Sequence, residues 1–196
     1  MNIFAKVIIS TNNDIKNSII SRLYLDPKEE IDNLEIYLKQ DEINIVLIYS
    51  KDKNFENILN YIKNNYEVIK ILNLWDSIAL WDLDLTLWDV IIPNTIINEE
   101  NEAIFFEYII DNNYDLKNFW LILNWICFTK QTQFKTENEV LDYKENYIAE
   151  ILDDEAFMLS KELEKNDFLD KSVIIKIVWK DKEFIKNWLD ILELML

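Results

Sequence analysis

The sequence predicts a single α/β domain over residues 1–196, a mixed central sheet flanked by helices. Three observations carry this. Short β-branched or aliphatic runs alternate with stretches whose apolar residues recur at helical spacing. Most of these runs are apolar on both faces, the pattern of strands buried between helical layers. A chain of 196 residues, 50% hydrophobic, is long enough for one sizeable core, and no linker, low-complexity block or repeat divides it.

The first strand is Lys6–Ser10, an aliphatic run ending on a hydroxyl. Asn12-Asn13-Asp14 then offers an N-cap for a helix over Ile15–Leu25. Ile43–Tyr49 reads as the next strand, and the polar stretch from Ser50 to Phe55 leads into a helix over Asn54–Asn64. Val68–Leu74, Asp89–Ile97 and Trp120–Thr129 follow as strands. Helices are expected over Asn138–Leu152 and Asp154–Lys165, a strand over Ser172–Val178, and a closing helix over Lys182–Leu194. In that last segment Phe184, Trp188, Leu192 and Met195 fall near one face, the spacing of a core-facing helix.

Composition removes several kinds of function. With 20 basic and 37 acidic side chains the net charge is −17, which repels a phosphate backbone and argues against nucleic-acid binding. Cys127 is the single cysteine, so an internal disulfide and a Cys-rich metal site are excluded. Its mid-strand place among apolar neighbours marks it as a buried, inert thiol. Histidine is absent, which excludes Ser-His-Asp, Cys-His and His-ligated metal chemistries. No apolar run approaches the roughly 18 residues of a membrane span, and the N-terminus lacks a signal-peptide pattern. The expectation is a soluble cytoplasmic protein without a membrane partner.

Glycine is the anomaly. The count is zero, where about 7% is ordinary, while tryptophan occurs seven times. Trp75, Trp81 and Trp88 are each followed by Asp, at points where a strand commonly gives way to a Gly turn. Tryptophan takes positive φ only at a cost that glycine escapes. One reading is that the tryptophan codons are UGA, rendered here as Trp but decoded as Gly by the source organism. The other is seven true tryptophans packed in a core.

Three segments could carry chemistry. Leu72–Thr95 holds the Trp-Asp pairs, including Asp76, and with Gly in place of Trp its turns would let backbone N–H groups approach an oxygen-rich ligand. An ordinary turn between strands is the plainer alternative. Asp153-Asp154-Glu155 precedes an amphipathic helix, in an apolar setting that would partly bury the acids. A carboxylate there can accept hydrogen bonds from two sugar hydroxyls, or simply favour the positive end of the helix dipole. Trp125–Phe134 is a strand running into a polar loop, where Phe134 could stack on a flat heterocycle or anchor the core.

Together these segments resemble the nucleoside phosphorylase and nucleosidase superfamily, and are most similar to 5′-methylthioadenosine/S-adenosylhomocysteine nucleosidases. Leu85-Thr-Leu-Trp-Asp-Val-Ile-Ile-Pro93 is similar to the family's Leu-x-x-Gly-Asp-Val-Val-x-Pro once Trp88 is Gly. Trp125-Ile-Cys-Phe-Thr129 followed by Phe134 resembles its Gly-[Leu/Ile]-x-x-[Ser/Thr]-Gly-Asp-x-Phe, with one extra loop residue. Asp153-Asp-Glu-Ala-Phe-Met-Leu-Ser160 resembles Asp-Met-Glu-Ala-x-Ala-[Leu/Ile]-Ala and is the most specific of the three.

The resemblance implies a nucleoside-phosphorylase-like fold and hydrolysis of a purine N-glycosidic bond without metal or organic cofactor. It implies that Glu155 binds the ribose hydroxyls, that Asp154 stands for a Met under the sugar, and that Phe134 stacks on the base. Thr129 and Asp76 are expected to line the substrate site. Asp181 is the implied proton donor to the leaving purine if one residue is inserted, since Lys180 otherwise takes that place; Asp14 stands in for the water-activating Glu. The lone arginine, Arg22, and the absent histidine argue for water over phosphate as acceptor. The family implies a homodimer. The alternative is a catalytically silent binding or assembly module that keeps the fold.

Overall fold

The computed structural model describes residues 3–79, 90–107, 121–130, 149, 151–178, 189, 191–193, 195 and 196, of which 78, 79, 121–125 and 178 are described by backbone alone. Strand β1 (Phe4–Ser10) leads into helix α1 (Asn13–Leu23), followed by β2 (Asp26–Ile31), β3 (Leu34–Lys39) and β4 (Asn44–Ser50). Helix α2 (Phe55–Asn65) precedes the long β5 (Glu67–Ala79), then β6 (Val90–Asn98), β7 (Ala103–Phe105), β8 (Leu121–Thr129) and β9 (Ile151–Asp153). Helix α3 (Ala156–Lys165), a 3₁₀ turn (Leu169–Lys171) and β10 (Ser172–Val178) complete the described elements, and residues 189, 191–193 and 195 are also helical.

All the described strands belong to one mixed sheet. β1 lies between β4 and β5 and is parallel to both, while β3 and β2 extend the sheet antiparallel beyond β4. On the other side β5 pairs parallel with β10, β10 antiparallel with β6, β6 parallel with β8 and β8 parallel with β9, which returns antiparallel to β5. Five strands thus close a ring, and the length of β5 lets it serve both the flat part and the ring.

Alternation along the strands sorts the core. Val7, Ile9, Val46, Ile48, Ile71 and Ile174 pack on the side of α2 and α3, whereas Ile8, Leu47, Leu72, Leu74, Ile175 and Ile177 pack on the side of α1. Both faces are therefore apolar, as the sequence predicts. Leu192 and Met195 are buried in the second layer, in keeping with a core-facing C-terminal stripe. Among the described residues no helix is long and apolar enough to cross a membrane.

The six predicted strands match β1, β4, β5, β6, β8 and β10 to within a few residues at their ends, apart from β5, which runs on to Ala79. Three differences stand out. The hairpin β2–β3 goes unpredicted. The expected helix over Asn138–Leu152 lies outside the described residues except at positions 149, 151 and 152, and Ile151–Asp153 form strand β9. The expected turn at Trp75 does not occur: β5 continues through it in register with Lys176, and φ there is not positive. Trp81 and Trp88, and most of the Lys182–Leu194 segment, lie outside the described residues.

Helix α1 begins where the sequence places its cap. Asn12 Oδ1 accepts from the backbone N–H of Asp14 at 2.8 Å and of Ile15 at 3.2 Å. Replacing Asn12 with Ala leaves both donors without that acceptor and is expected to cost about 1 kcal/mol. A lower urea midpoint with an unchanged m value checks it.

Candidate functional site

The site grows from the start of α3. Asp153 ends β9, and its two carboxylate oxygens organise the entry to the helix. Oδ1 accepts from Thr129 Oγ1 at 2.7 Å, and Oδ2 accepts from the Ala156 N–H at 2.9 Å. Thr129 Oγ1 in turn accepts from the Phe157 N–H at 3.0 Å. Two of the helix's free amide donors are thereby satisfied by buried groups from β8 and β9. This frees Glu155, the residue immediately before α3, from any capping duty of its own side chain.

Lys176 of β10 crosses beneath this start. Its ammonium lies 2.5 Å from Asp153 Oδ2, with both side chains at 0% exposure. Burial alone would strip the proton from Lys176, but Asp153 first and Glu155 second outweigh it and hold the ammonium above its ordinary pKa. Sequence reasoning did not single out Lys176; its only trace is one charged residue interrupting an otherwise apolar strand. Cys127 of β8 is fully buried, and burial pushes its thiol well up.

Glu155 is 0% exposed. Its Oε2 accepts from Thr11 Oγ1 at 2.5 Å, and its Oε1 has no hydrogen-bond partner among the described residues. Burial lifts its pKa to about 7, opposed by Lys176, Thr11 and Lys53. Asn73 Oδ1 and Asp76 Oδ1 on β5 are likewise buried without a partner, and burial raises the Asp76 carboxyl. Buried acceptor oxygens left open are a standing demand for hydrogen-bond donors.

Above Glu155 sits a second layer. Asp154 Oδ2 accepts from Lys53 Nζ at 2.7 Å, and its Oδ1 accepts from the Trp75 indole N–H at 3.1 Å. The Lys53 ammonium also lies 4.7 Å from the centre of the Trp75 ring and 3.8 Å from Glu155 Oε2. A cleft of about 420 Å³ opens beside it, bordered by Lys53, Phe55, Thr129, Phe157 and Met158.

The carboxyl groups of Asp76, Asp153, Asp154 and Glu155 thus share a neighbourhood with two ammonium groups, Lys53 and Lys176. Such an excess of negative charge at low dielectric favours a bound proton or a ligand that develops positive charge. Of the residues expected from sequence, Glu155, Asp154, Thr129 and Asp76 are brought to this region. Asp14 is not: it is exposed in the first turn of α1, and among the described residues nothing joins its carboxylate to the Glu155 group. Phe134, Lys180 and Asp181 lie outside the described residues. Thr11, Asn73, Lys53 and Lys176 are additions that the sequence did not announce.

No protein-family model matches the chain, and no curated protein matches it. Solved structures do. Futalosine hydrolase of Helicobacter pylori superposes with a TM-score of 0.73 at 11% identity, covering 100% of this chain and 93% of that one. The 5′-methylthioadenosine/S-adenosyl homocysteine nucleosidase of Campylobacter jejuni gives 0.71 at 14% identity, over 93% and 90%. The Arabidopsis thaliana 5′-methylthioadenosine nucleosidase gives 0.69 at 12%, over 97% and 88%. The chain has the fold of these nucleosidases, the fold the sequence motifs imply.

Proposed function

We propose that the protein hydrolyses the N-glycosidic bond of a purine (thio)nucleoside such as 5′-methylthioadenosine or S-adenosylhomocysteine, releasing adenine. The observation that carries this reading is Glu155, a fully buried carboxyl with one open oxygen at a helix start ringed by Thr11, Lys176 and Asp153. Vicinal ribose hydroxyls are donors of the kind its Oε1 lacks. Departure of the purine leaves an oxocarbenium-like sugar, and the surplus of carboxylates over ammonium groups supports that cation where it forms. Asp76 and Asn73 offer further acceptors on the β5 side. Asp181 is the proposed proton donor to the leaving base and Phe134 the stacking partner; exposed Asp14 lies apart from the Glu155 group and is not given the water-activating role. A cytoplasmic location and pairing into a homodimer belong to the same reading.

The test is incubation with each of the two nucleosides, following adenine release, for the chain as written and for one carrying Gly at all seven tryptophan positions. Glu155→Gln is expected to lower kcat/KM by about 10²–10³, the scale for removing one well-placed polar group at a charged transition state. No adenine from any of these proteins overturns the proposal. The silent-module reading has its own support in the complete burial of Glu155 beneath Trp75 and Lys53; it predicts nucleoside binding by calorimetry without turnover.

A further inference from the structure

Glu155 cannot meet any ligand in the arrangement just described, because no part of it touches solvent. Its neighbours Thr11, Thr129, Asp153 and Lys176 are buried as well. The partly open side chains beside it are Lys53 at 31%, Asp154 at 27%, and half-buried Trp75. Lys53 is also a wall of the 420 Å³ cleft. Lys53 thus reaches both the cleft and the Glu155 carboxyl, 3.8 Å from its Thr11-bonded Oε2.

We propose that Lys53 is a gate: latched to Asp154 and Trp75, it seals the Glu155 pocket from the cleft, and ligand entry requires the latch to open.

The construction of the loop fits a latch. Lys53 holds φ 55, a left-handed backbone that a lysine adopts only when its surroundings compel it. The loop beneath is braced through Asp52, whose Oδ1 accepts from Ser50 Oγ at 2.8 Å and from the Asn54 N–H at 3.2 Å. Asn33 Nδ2 donates to Asp52 Oδ2 at 3.3 Å. The backbone is held from below, so the lysine side chain reaches toward α3 from a fixed base. What fastens its far end, among the described residues, is a partly exposed ion pair with Asp154, a longer contact of 3.8 Å to Glu155 Oε2 and one ring contact with Trp75. Partly exposed pairs of this kind are weak and break readily, whereas the fully buried Lys176–Asp153 pair behind them does not. The device separates a rigid floor from a movable cover.

The inference concerns access to Glu155 and holds whether or not the nucleoside is cleaved. It is tested by carboxyl labelling with a water-soluble carbodiimide and a small amine at pH 6. Peptide mass spectrometry reads the labelling rate at Glu155, with exposed Asp14 as internal reference. In the unaltered protein Glu155 is expected to label at least about tenfold more slowly than Asp14. Lys53→Met and Asp154→Asn each release the latch and are expected to raise the Glu155 rate about tenfold. Lys51→Met, on the same loop but paired with Glu35 instead, leaves it unchanged. The two releasing variants break the latch from opposite sides, so Asp154→Asn decides the matter if Lys53→Met does not give a native near-UV spectrum. Glu155 labelling as fast as Asp14 in the unaltered protein, or equally slow in both releasing variants, overturns the gate. Absence of adenine release overturns the hydrolase reading alone, since the labelling does not depend on turnover.

Discussion

Replacing Lys176 with Met is expected to lower the unfolding free energy by about 3–5 kcal/mol, the largest single loss predicted for this chain. The pair it breaks is fully buried on both sides, with 2.5 Å between Nζ and Asp153 Oδ2. Removing the lysine leaves the Asp153 carboxylate in a low-dielectric interior without its counter-charge. That carboxylate cannot turn away to water, because its oxygens are committed to Thr129 and to the Ala156 N–H. The damage thus spreads to the start of α3 and, through Thr129, to the Phe157 amide. The double variant Lys176→Met/Asp153→Asn removes both charges together and should recover much of the loss, because a neutral amide can still accept from the helix amide. Urea unfolding of the single and double variants measures the coupling. A single variant that loses under about 1 kcal/mol would show that water reaches the pair and that the floor of the pocket is not dry.

This ion pair also marks where sequence reading stops. The strand Ser172–Val178 is legible because its residues are apolar on both faces, and its observed bounds match. Nothing in that run says that its one interior lysine meets an aspartate from β9, since the pairing is a property of sheet order. The acidic start Asp153–Glu155 is legible as a site, but its division of labour is not. Asp153 takes the helix amide and the lysine, and so leaves Glu155 open. The hairpin β2–β3 was missed for a different reason. β2 reads Asp-Pro-Lys-Glu-Glu-Ile, polar almost throughout, because it is the edge of the sheet and only β3 covers one side of it. The turn between them is Asp32-Asn33, both at positive φ, a hairpin signal without glycine that a search for Gly turns passes over. The opposite error occurs at Trp75, where the search for a Gly turn predicted one and the strand simply continues. Its indole instead binds Asp154, beside the acidic helix start.

Between pH 4.5 and pH 7 the protein is expected to become less stable as pH rises, by about 3 kcal/mol in all. Glu155 is the cause, its pKa lifted by burial from an ordinary 4.5 to about 7. Below pH 4.5 folded and unfolded chains both carry the proton, and this group adds no pH dependence. As pH rises through the window the unfolded chain ionises first, the folded chain binds more protons, and unfolding is favoured. Above pH 7 both states are ionised and the loss reaches its plateau. Asp76, also raised by burial, acts with the same sign. Glu35 has the opposite sign: Lys16 holds its carboxyl down to about 2, so its contribution is lost only as pH falls below 4.5 and does not enter this window. Glu155→Gln should therefore flatten most of the slope between pH 5 and pH 8 in urea midpoints, without altering the acid limb. The same titration bears on function, because an ionised Glu155 accepts from two sugar hydroxyls while its acid form must donate one bond. Nucleoside affinity is expected to rise with its midpoint near pH 7, the point at which the fall in stability levels off. If the stability slope survives in Glu155→Gln, the buried proton belongs to another carboxyl, with Asp76 next in line.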